Sequence, residues 1–392
     1  MNKRKKIFVI GCGNPYDRKG LFNAMLGRTR MLLNSDEYNV EFYLIGDYEP
    51  WLVRKLRGTP KRERIESIIV DGVRIKMLWF KYSILDYICH IKLHGRAYFK
   101  EHFLKKQHIH LKDADFIIAH SQDAGYVAMN AKKQYGIPFS VTWHGSDINV
   151  APWDNPSEGR VIREIIEKAD VNYFVSKALM ERSDKLTTRG VKKVLHNGCD
   201  SRFRKYDEAR CEELRKKFCV KGKKVIMFAG NLIDIKNPLL LPEIFKLVHR
   251  EVPNATFWVI GDGKLRGQME MASVDFPVQY WGNQPVEMMP DFLNCTDVVV
   301  LPSKNEGLPL ILVEAMNCGC RAVGSNVGGI KEVIGEKNVL DYPSDDFVEK
   351  FAEKVIELSK TNRSDTEFQL KDDFSWKNAN AIETSDIKRI IE

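Results

Sequence analysis
Apolar runs of four to seven residues recur along this chain, each closed by a glycine or a polar loop and followed by a stretch of helix length. Runs that are apolar throughout, rather than alternating, belong to parallel strands buried on both faces. That rhythm confines the chain to the α/β class. The best-defined unit is residues 297–320. Asp297 to Leu301 (DVVVL) reads as a buried strand, and Pro302 to Leu308 as a polar loop. Pro309 suits the first turn of a helix (LPLILVEAMN), and Gly319 suits its C-terminal cap. The loop leaves the carboxyl end of its strand, the edge where open α/β sheets bind ligands. The amides of the helix N-terminus suit an anion such as a diphosphate. Glu306 lies in this loop and Glu314 about two turns inside the helix, flanked by Val313, Ala315 and Met316. A carboxylate among apolar neighbours needs a partner, and sugar or ribose hydroxyls held in pairs would serve. Spacing alone leaves the other reading open: an ordinary capping Glu306 and a salt-bridged Glu314.

At 392 residues, with 44% hydrophobic content, two domains of ordinary size are expected. The net charge of +8, from 61 basic and 53 acidic residues, is a moderate excess that suits anionic ligands or an anionic surface. No run of about 18 apolar residues marks a transmembrane helix. The start, MNKRKKIFVIGCG, has too short an apolar run for a signal peptide and reads as a polar tail entering a first strand. Eight cysteines show no zinc or disulfide spacing, so core thiols in a reducing cytoplasm are expected.

Along the chain, further strands are expected at Lys6 to Ile10, Val40 to Ile45, Asp115 to His120, Phe139 to Trp143 and Asp170 to Ser176. After the linker they continue at Lys224 to Ala229, Thr256 to Ile260 and Val278 to Gly282. Gly11-Cys12-Gly13-Asn14 is a Gly-rich turn that a phosphate could approach, but the third glycine of the dinucleotide fingerprint is replaced by Tyr16. A nicotinamide-dependent dehydrogenase is therefore disfavoured. His144 stands at the carboxyl end of its strand, in His144-Gly145-Ser146-Asp147. Asp147 either orients it or caps a helix. Residues 76–112 mix Lys92, Arg96, Lys100, Lys105 and Lys106 with aromatics. A basic amphipathic helix on an anionic membrane and a solvated helix with an ordinary core face fit this segment equally. Nucleic acid is not expected, since acidic residues interrupt the basic stretches and no recognition module is present.

Glu306-Gly307-Leu308-Pro309 followed by Glu314-Ala315-Met316, two glutamates with seven residues between them, resembles the signature of the retaining glycosyltransferases of family 4. The resemblance extends through Ala322-Val323-Gly324, Gly328-Gly329 and Glu332. It is strong after residue 222 and loose before about residue 140. It implies a GT-B fold, with two Rossmann-like domains facing each other across a cleft. Residues 1–200 would bind acceptor, completed by a C-terminal helix at 375–392, and residues 201–374 would bind nucleotide-sugar. It further implies that His144 lies beside the donor sugar, that Lys236 clamps the donor diphosphate, and that Glu306 holds sugar hydroxyls with Gly307 and Leu308 nearby. Glu314 would hold the ribose, Gly282 and Asn283 would meet the base, and Gly13 would contact the donor diphosphate or the acceptor. Asn231 stands where the family has an arginine, so half of the cationic clamp is replaced by a neutral amide, with Arg266 or Lys264 as candidate substitutes.

The function expected is retaining transfer of a sugar from a nucleotide-sugar, most simply a UDP-sugar, to a glycan or lipid-linked acceptor. No Asp-x-Asp motif lies in a plausible donor loop, so neither metal nor other cofactor is expected. A cytoplasmic protein, peripheral on the inner face of the membrane, is the corresponding placement. An epimerase or hydrolase on the same fold, or a non-catalytic subunit as the loss of arginine at Asn231 would suit, are the competing readings.

Overall fold
The computed structural model describes residues 4–13, 15, 20–58, 61, 63–81, 83–88, 98–361 and 372–392. The chain divides into two compact units: Met1–Gly198 with Ser375–Glu392, and Cys199–Phe374.

The first unit is built on β1 (Lys6–Cys12), β2 (Asn39–Tyr48), β3 (Ser67–Val70), β4 (Val73–Lys81), β5 (Phe116–His120), β6 (Phe139–Trp143), β7 (Val171–Phe174) and β8 (Lys192–Val194). They pair in the order β3-β4-β2-β1-β5-β6-β7-β8. Ile7 pairs with Val40 on one side and Phe116 on the other. All pairings are parallel except β3 with β4. β5 and β6 are buried at every position, as strands covered on both faces must be.

The last helix, Trp376–Ile391, begins at Ser375, whose hydroxyl accepts the Asn378 amide as an N-cap. It joins the first unit's core through Ile387, with Ile390 and Ile391 packed alongside. Asp386, on the same helix, accepts from the Tyr173 hydroxyl at 2.9 Å and from Lys193 at 2.6 Å. The chain thus builds the second unit's strands and then returns with a helix that completes the first unit's core.

The second unit contains β9 (Lys224–Ala229), β10 (Ala255–Ile260), β11 (Val278–Gly282), β12 (Val298–Leu301), β13 (Arg321–Ser325) and β14 (Val339–Leu340). Their order, β11-β10-β9-β12-β13-β14, is the 3-2-1-4-5-6 arrangement of a Rossmann sheet, and all pairings are parallel. The chain direction across the sheet reverses between β9 and β12. In the first unit the same reversal falls between β1 and β5. Ligands of open α/β sheets sit outside the carboxyl ends of the strands at such points.

The expected strands are present, with ends shifted by a residue or a few. Residues 73–81 correct the helical reading of the basic-aromatic segment. They form β4, where Val73, Ile75 and Met77 are buried and Arg74 and Lys76 are exposed, a period of two. The turn into it is Asp71-Gly72, both at positive φ (48° and 81°), the hairpin signal that sets the pairing of Val70 with Val73. A helix does follow, at Tyr98–Gln107. Phe80 and Leu104 are buried and Phe103 packs against Val53 and Phe80, so these apolar side chains are core. Lys92 and Arg96 lie outside the described residues, as does the side chain of Lys100. Cys318 and Cys320 are fully buried thiols, and Cys320 donates from Sγ to the Leu293 carbonyl at 3.0 Å.

Candidate functional site
In the second unit the loop after β12 and the turn after β9 meet at the reversal point. The turn Asp234–Lys236 is tied to the loop by the Lys304 amide, which donates to the Ile235 carbonyl at 2.9 Å, and by the Lys304–Asp234 ion pair. Lys236 then donates from Nζ to Oε1 of Glu306 at 2.6 Å. Ser303, fully buried, donates its hydroxyl to the same oxygen at 2.7 Å. Two sequence-distant residues are thereby joined as a charge pair at the sheet's ligand edge.

Glycines build the approach. A Cβ on Gly328 (φ +53°) would stand 2.0 Å from the Glu306 carbonyl oxygen, and the Gly329 amide donates to the Gly307 carbonyl. A Cβ on Gly261 (φ +119°) would stand 2.0 Å from the Gly230 carbonyl, so the ends of β9 and β10 touch backbone to backbone. The Gly261 amide donates to the Gly282 carbonyl, which adds the end of β11 to the same edge. Asn231 lies within it, half-buried, and its side chain makes no hydrogen bond among the described residues. Asn283 is exposed beside Gly282.

The helix Leu310–Asn317 starts two residues later than expected, with Pro309 at its N-cap and no side chain closing that end among the described residues. The Gly307 and Leu308 amides also carry no partner among the described residues. A cluster of free amides therefore stands beside Lys236 and Glu306, suited to phosphate oxygens. Cys318 ends the helix and Gly319 follows at φ +77°. Arg266, the candidate replacement for the missing arginine, is engaged by Glu270 at 2.7 Å and Asp262 at 3.2 Å. Lys264 is exposed.

Glu314, one turn into this helix, is half-buried, and its carboxylate accepts no hydrogen bond among the described residues. Desolvation pushes its pKa up to about 7; Arg202 opposes the shift and Asp200 adds to it. Asp200 and Arg202 also line an open pocket of about 440 Å³ with Ser201, Arg204, Tyr206 and Arg210.

In the first unit, Gly13 (φ +147°) follows β1, with open space where a Cβ would project. Its amide donates to the Ile45 carbonyl, which leaves that N–H committed. His144 follows β6. Asp147 is a backbone brace: it accepts from the Gly145 amide at 2.9 Å and from the His144 amide at 3.3 Å. Burial raises its carboxyl to about 6, against the pull of those amides. The His144 ring is held by a residue the sequence reading passed over, His120 at the end of β5. Its Nδ1 lies 3.0 Å from Nε2 of His144. Burial, with the charge of Arg28, brings the His144 imidazole down to about 3, so it is neutral across the physiological range. His120 stood at the carboxyl end of an apolar run, the same position that singled out His144. Ser303 gave no sequence signal of its own, whereas Gly328 lies in the Gly328-Gly329 pair of the family resemblance.

Residues 223–361 match the family model described as Glycosyl transferases group 1. The chain is 28% identical over 225 residues to the Bacillus subtilis protein provisionally named teichuronic acid biosynthesis glycosyltransferase TuaC, covering 57% of this chain and 56% of that one. It is 29% identical over 212 residues to N-acetyl-alpha-D-glucosaminyl L-malate synthase of Bacillus anthracis, covering 52% and 54%. The chain thus spans about half the length of these relatives in alignment. The structure of Anabaena HepE in complex with UDP and glucose superposes with a TM-score of 0.66 at 17% identity over 98% of both chains. Within the second unit, residues 223–361 are thus similar to the group 1 glycosyltransferases, and the two Rossmann-like units have the GT-B fold.

Proposed function
We propose that this protein is a retaining glycosyltransferase that moves a sugar from a UDP-sugar to a glycan or lipid-linked acceptor. The observation that carries the reading is the Lys236–Glu306 pair, 2.6 Å apart at the reversal point of a Rossmann sheet. It stands beside an uncapped helix N-terminus, within the segment that matches the family.

In this reading Lys236 leaves Glu306 for the donor diphosphate and stabilises the charge that grows on the leaving group. The Gly307 and Leu308 amides add to that stabilisation. Glu306, freed of its lysine, accepts from sugar hydroxyls, and Glu314 accepts from the ribose. Gly282 and Asn283 meet the base, and Asn231 contributes a neutral amide to the phosphates. Gly13 offers space without a side chain. His144 acts on the donor sugar. Attack comes from the same face that the diphosphate leaves, and the leaving phosphate takes the acceptor's proton. Lys236 and the free amides supply the positive charge a metal would otherwise give, so transfer should persist in EDTA. HepE, which binds UDP and glucose, supports the choice of base, and the TuaC name supports polymer biosynthesis.

The acceptor side points to an anionic membrane surface, with no role for nucleic acid. The helix Trp51–Arg57 exposes Trp51 (66%) and Leu56 (61%) beside Lys55, while Val53 anchors it in the core. An apolar tip among basic residues is the pattern of interfacial binding. Such a protein works on the cytoplasmic face of the membrane.

The test is thermal unfolding with UDP, GDP, ADP and their sugars, on wild type and Glu314→Ala. A ligand at a hundred times its Kd raises stability by roughly 2.7 kcal/mol. A shift with UDP ligands that the variant loses is the expected result. Release of free sugar or an epimer without acceptor would replace transfer by the hydrolase or epimerase reading. No shift with any nucleotide would favour a non-catalytic subunit, the reading that Asn231 in place of arginine suits.

A further inference from the structure
We infer that His120 is a positioning residue that fixes the tautomer of His144, making the open Nδ1 of His144 a hydrogen-bond donor to a ligand oxygen rather than a base. The inference rests on the glycosyltransferase reading only for what that oxygen belongs to, a donor sugar.

The two rings meet through Nδ1 of His120 and Nε2 of His144, so one of these nitrogens carries the shared proton. His120 has no exposed surface, and its other nitrogen, Nε2, is a buried polar atom with no partner among the described residues. If His144 donated, His120 Nε2 would be an orphaned N–H in the core. If His120 donates, Nε2 is a bare lone pair, the less costly of the two defects.

Arg28 decides the same way. Its guanidinium is 3% exposed and lies 5.7 Å from the Tyr173 ring. It donates to Thr142, the strand partner of His120, while its Nε and Nη2 lack partners among the described residues. A lone pair on His120 is favoured by this neighbouring cation, and an N–H is disfavoured. The charge of Arg28 also opposes protonation of either imidazole. With His120 donating, neutral His144 must carry its own proton on Nδ1. That nitrogen makes no bond among the described residues and is not buried.

The backbone commits to this arrangement. Ser121, directly after His120, is held at φ +72°, a left-handed conformation that a non-glycine residue adopts at a cost. The strained turn sets where His120 leaves β5. The Asp147 carboxylate fixes the His144 and Gly145 amides on the other side of the contact. Both rings are thus placed by backbone constraints.

The experiment is nitrogen-15 NMR of the histidine side chains in the full-length wild type, His120→Leu and His120→Asn, with transfer kinetics on each. The asparagine amide can replace the Nδ1 donor; leucine cannot. In the wild type, His144 should be the Nδ1–H tautomer and remain neutral from pH 8 to pH 5. His120→Leu should shift it toward Nε2–H and lower kcat by about tenfold, the worth of one hydrogen bond in the transition state. His120→Asn should retain the tautomer and most of the rate. An Nε2–H tautomer in the wild type, an unchanged tautomer in His120→Leu, or an asparagine variant as impaired as the leucine one would overturn the inference. If the wild type transfers no sugar, the glycosyltransferase reading falls while the NMR result still decides the histidine pair.

Discussion

The two units both reverse strand direction beside their first strand, and they hold their polar groups by opposite means. In the second, the groups at the reversal point sit on loops: Lys236 after β9 and Glu306 after β12, joined across 70 residues of sequence. Free amides surround them, and the glycines at 261 and 328 let backbones approach within contact distance. In the first, the corresponding groups lie at strand ends and in the core. His120, Thr142 and Arg28 are buried, and the open atoms belong to His144. A loop site can exchange an internal partner for a ligand, as Lys236 would exchange Glu306 for phosphate. A buried strand-end site cannot move, and its use is to fix the orientation of the one side chain it presents.

The sharpest way to break this contrast is Lys236→Ala. Transfer should fall by about 10²–10³-fold, the cost of losing one preorganised donor to a developing anion. Ser303 still donates to Glu306, so the melting temperature should change little. A variant with near-normal kcat would remove Lys236 from the chemistry and leave the second unit's loop pair as a structural tie.

Next in size is Gly261→Ala. Its Cβ would meet the Gly230 carbonyl at 2.0 Å in a backbone conformation that alanine resists. A loss of more than about 2 kcal/mol in chemical denaturation is expected, since both strain and overlap must be relieved. Gly13→Ala, with open space around its Cβ but a φ of +147°, carries only the conformational cost and should lose less. Equal losses would mean that close packing at the ends of β9 and β10 is unimportant.

Glu314 sharpens the comparison through pH. Burial favours its neutral form in the fold, which therefore binds more protons than the unfolded chain between the ordinary carboxylate range and about 7. Its contribution to stability falls as pH rises through that window. Ribose hydroxyls would donate to the ionised form, so UDP affinity should move the other way, strengthening about tenfold from pH 6 to pH 8. Calorimetric titration of wild type and Glu314→Gln checks this, and an equally steep profile in the variant would assign the dependence to another group.

The smallest effect on the fold belongs to the surface. Trp51→Ser with Leu56→Ser should change stability by no more than about 0.5 kcal/mol, because both side chains are exposed. Sedimentation with anionic vesicles should nonetheless fall severalfold. Unchanged vesicle binding would end the case for membrane docking through this helix.

Much of this was readable in the residues. The apolar runs located the strands because a doubly covered strand admits little else, and Glu306-Gly307-Leu308-Pro309 located the loop and helix of the second site. The hairpin at Val70-Asp71-Gly72-Val73 carried its own turn chemistry, yet the basic and aromatic residues around it masked a period-two pattern. Arg266 looked free in sequence because its partners Asp262 and Glu270 were not distinguishable from solvated acids. His120 was hidden for a different reason. A histidine's role depends on which nitrogen meets which neighbour, and that neighbour lies 24 residues away on an adjacent strand.

The α/β class, the strand-loop-helix unit at 297–320 and the residue types gathered at its ligand edge were legible in the residues alone. These follow from local periodicity, turn chemistry and the burial demand of apolar runs, all of which act over a few residues. The tertiary structure decided which distant groups meet: Lys236 with Glu306, His120 with His144, and the Gly261 and Gly328 backbones with their neighbours. Those contacts depend on strand order and on ångström-scale approach between segments far apart in the chain, which only the assembled sheets define.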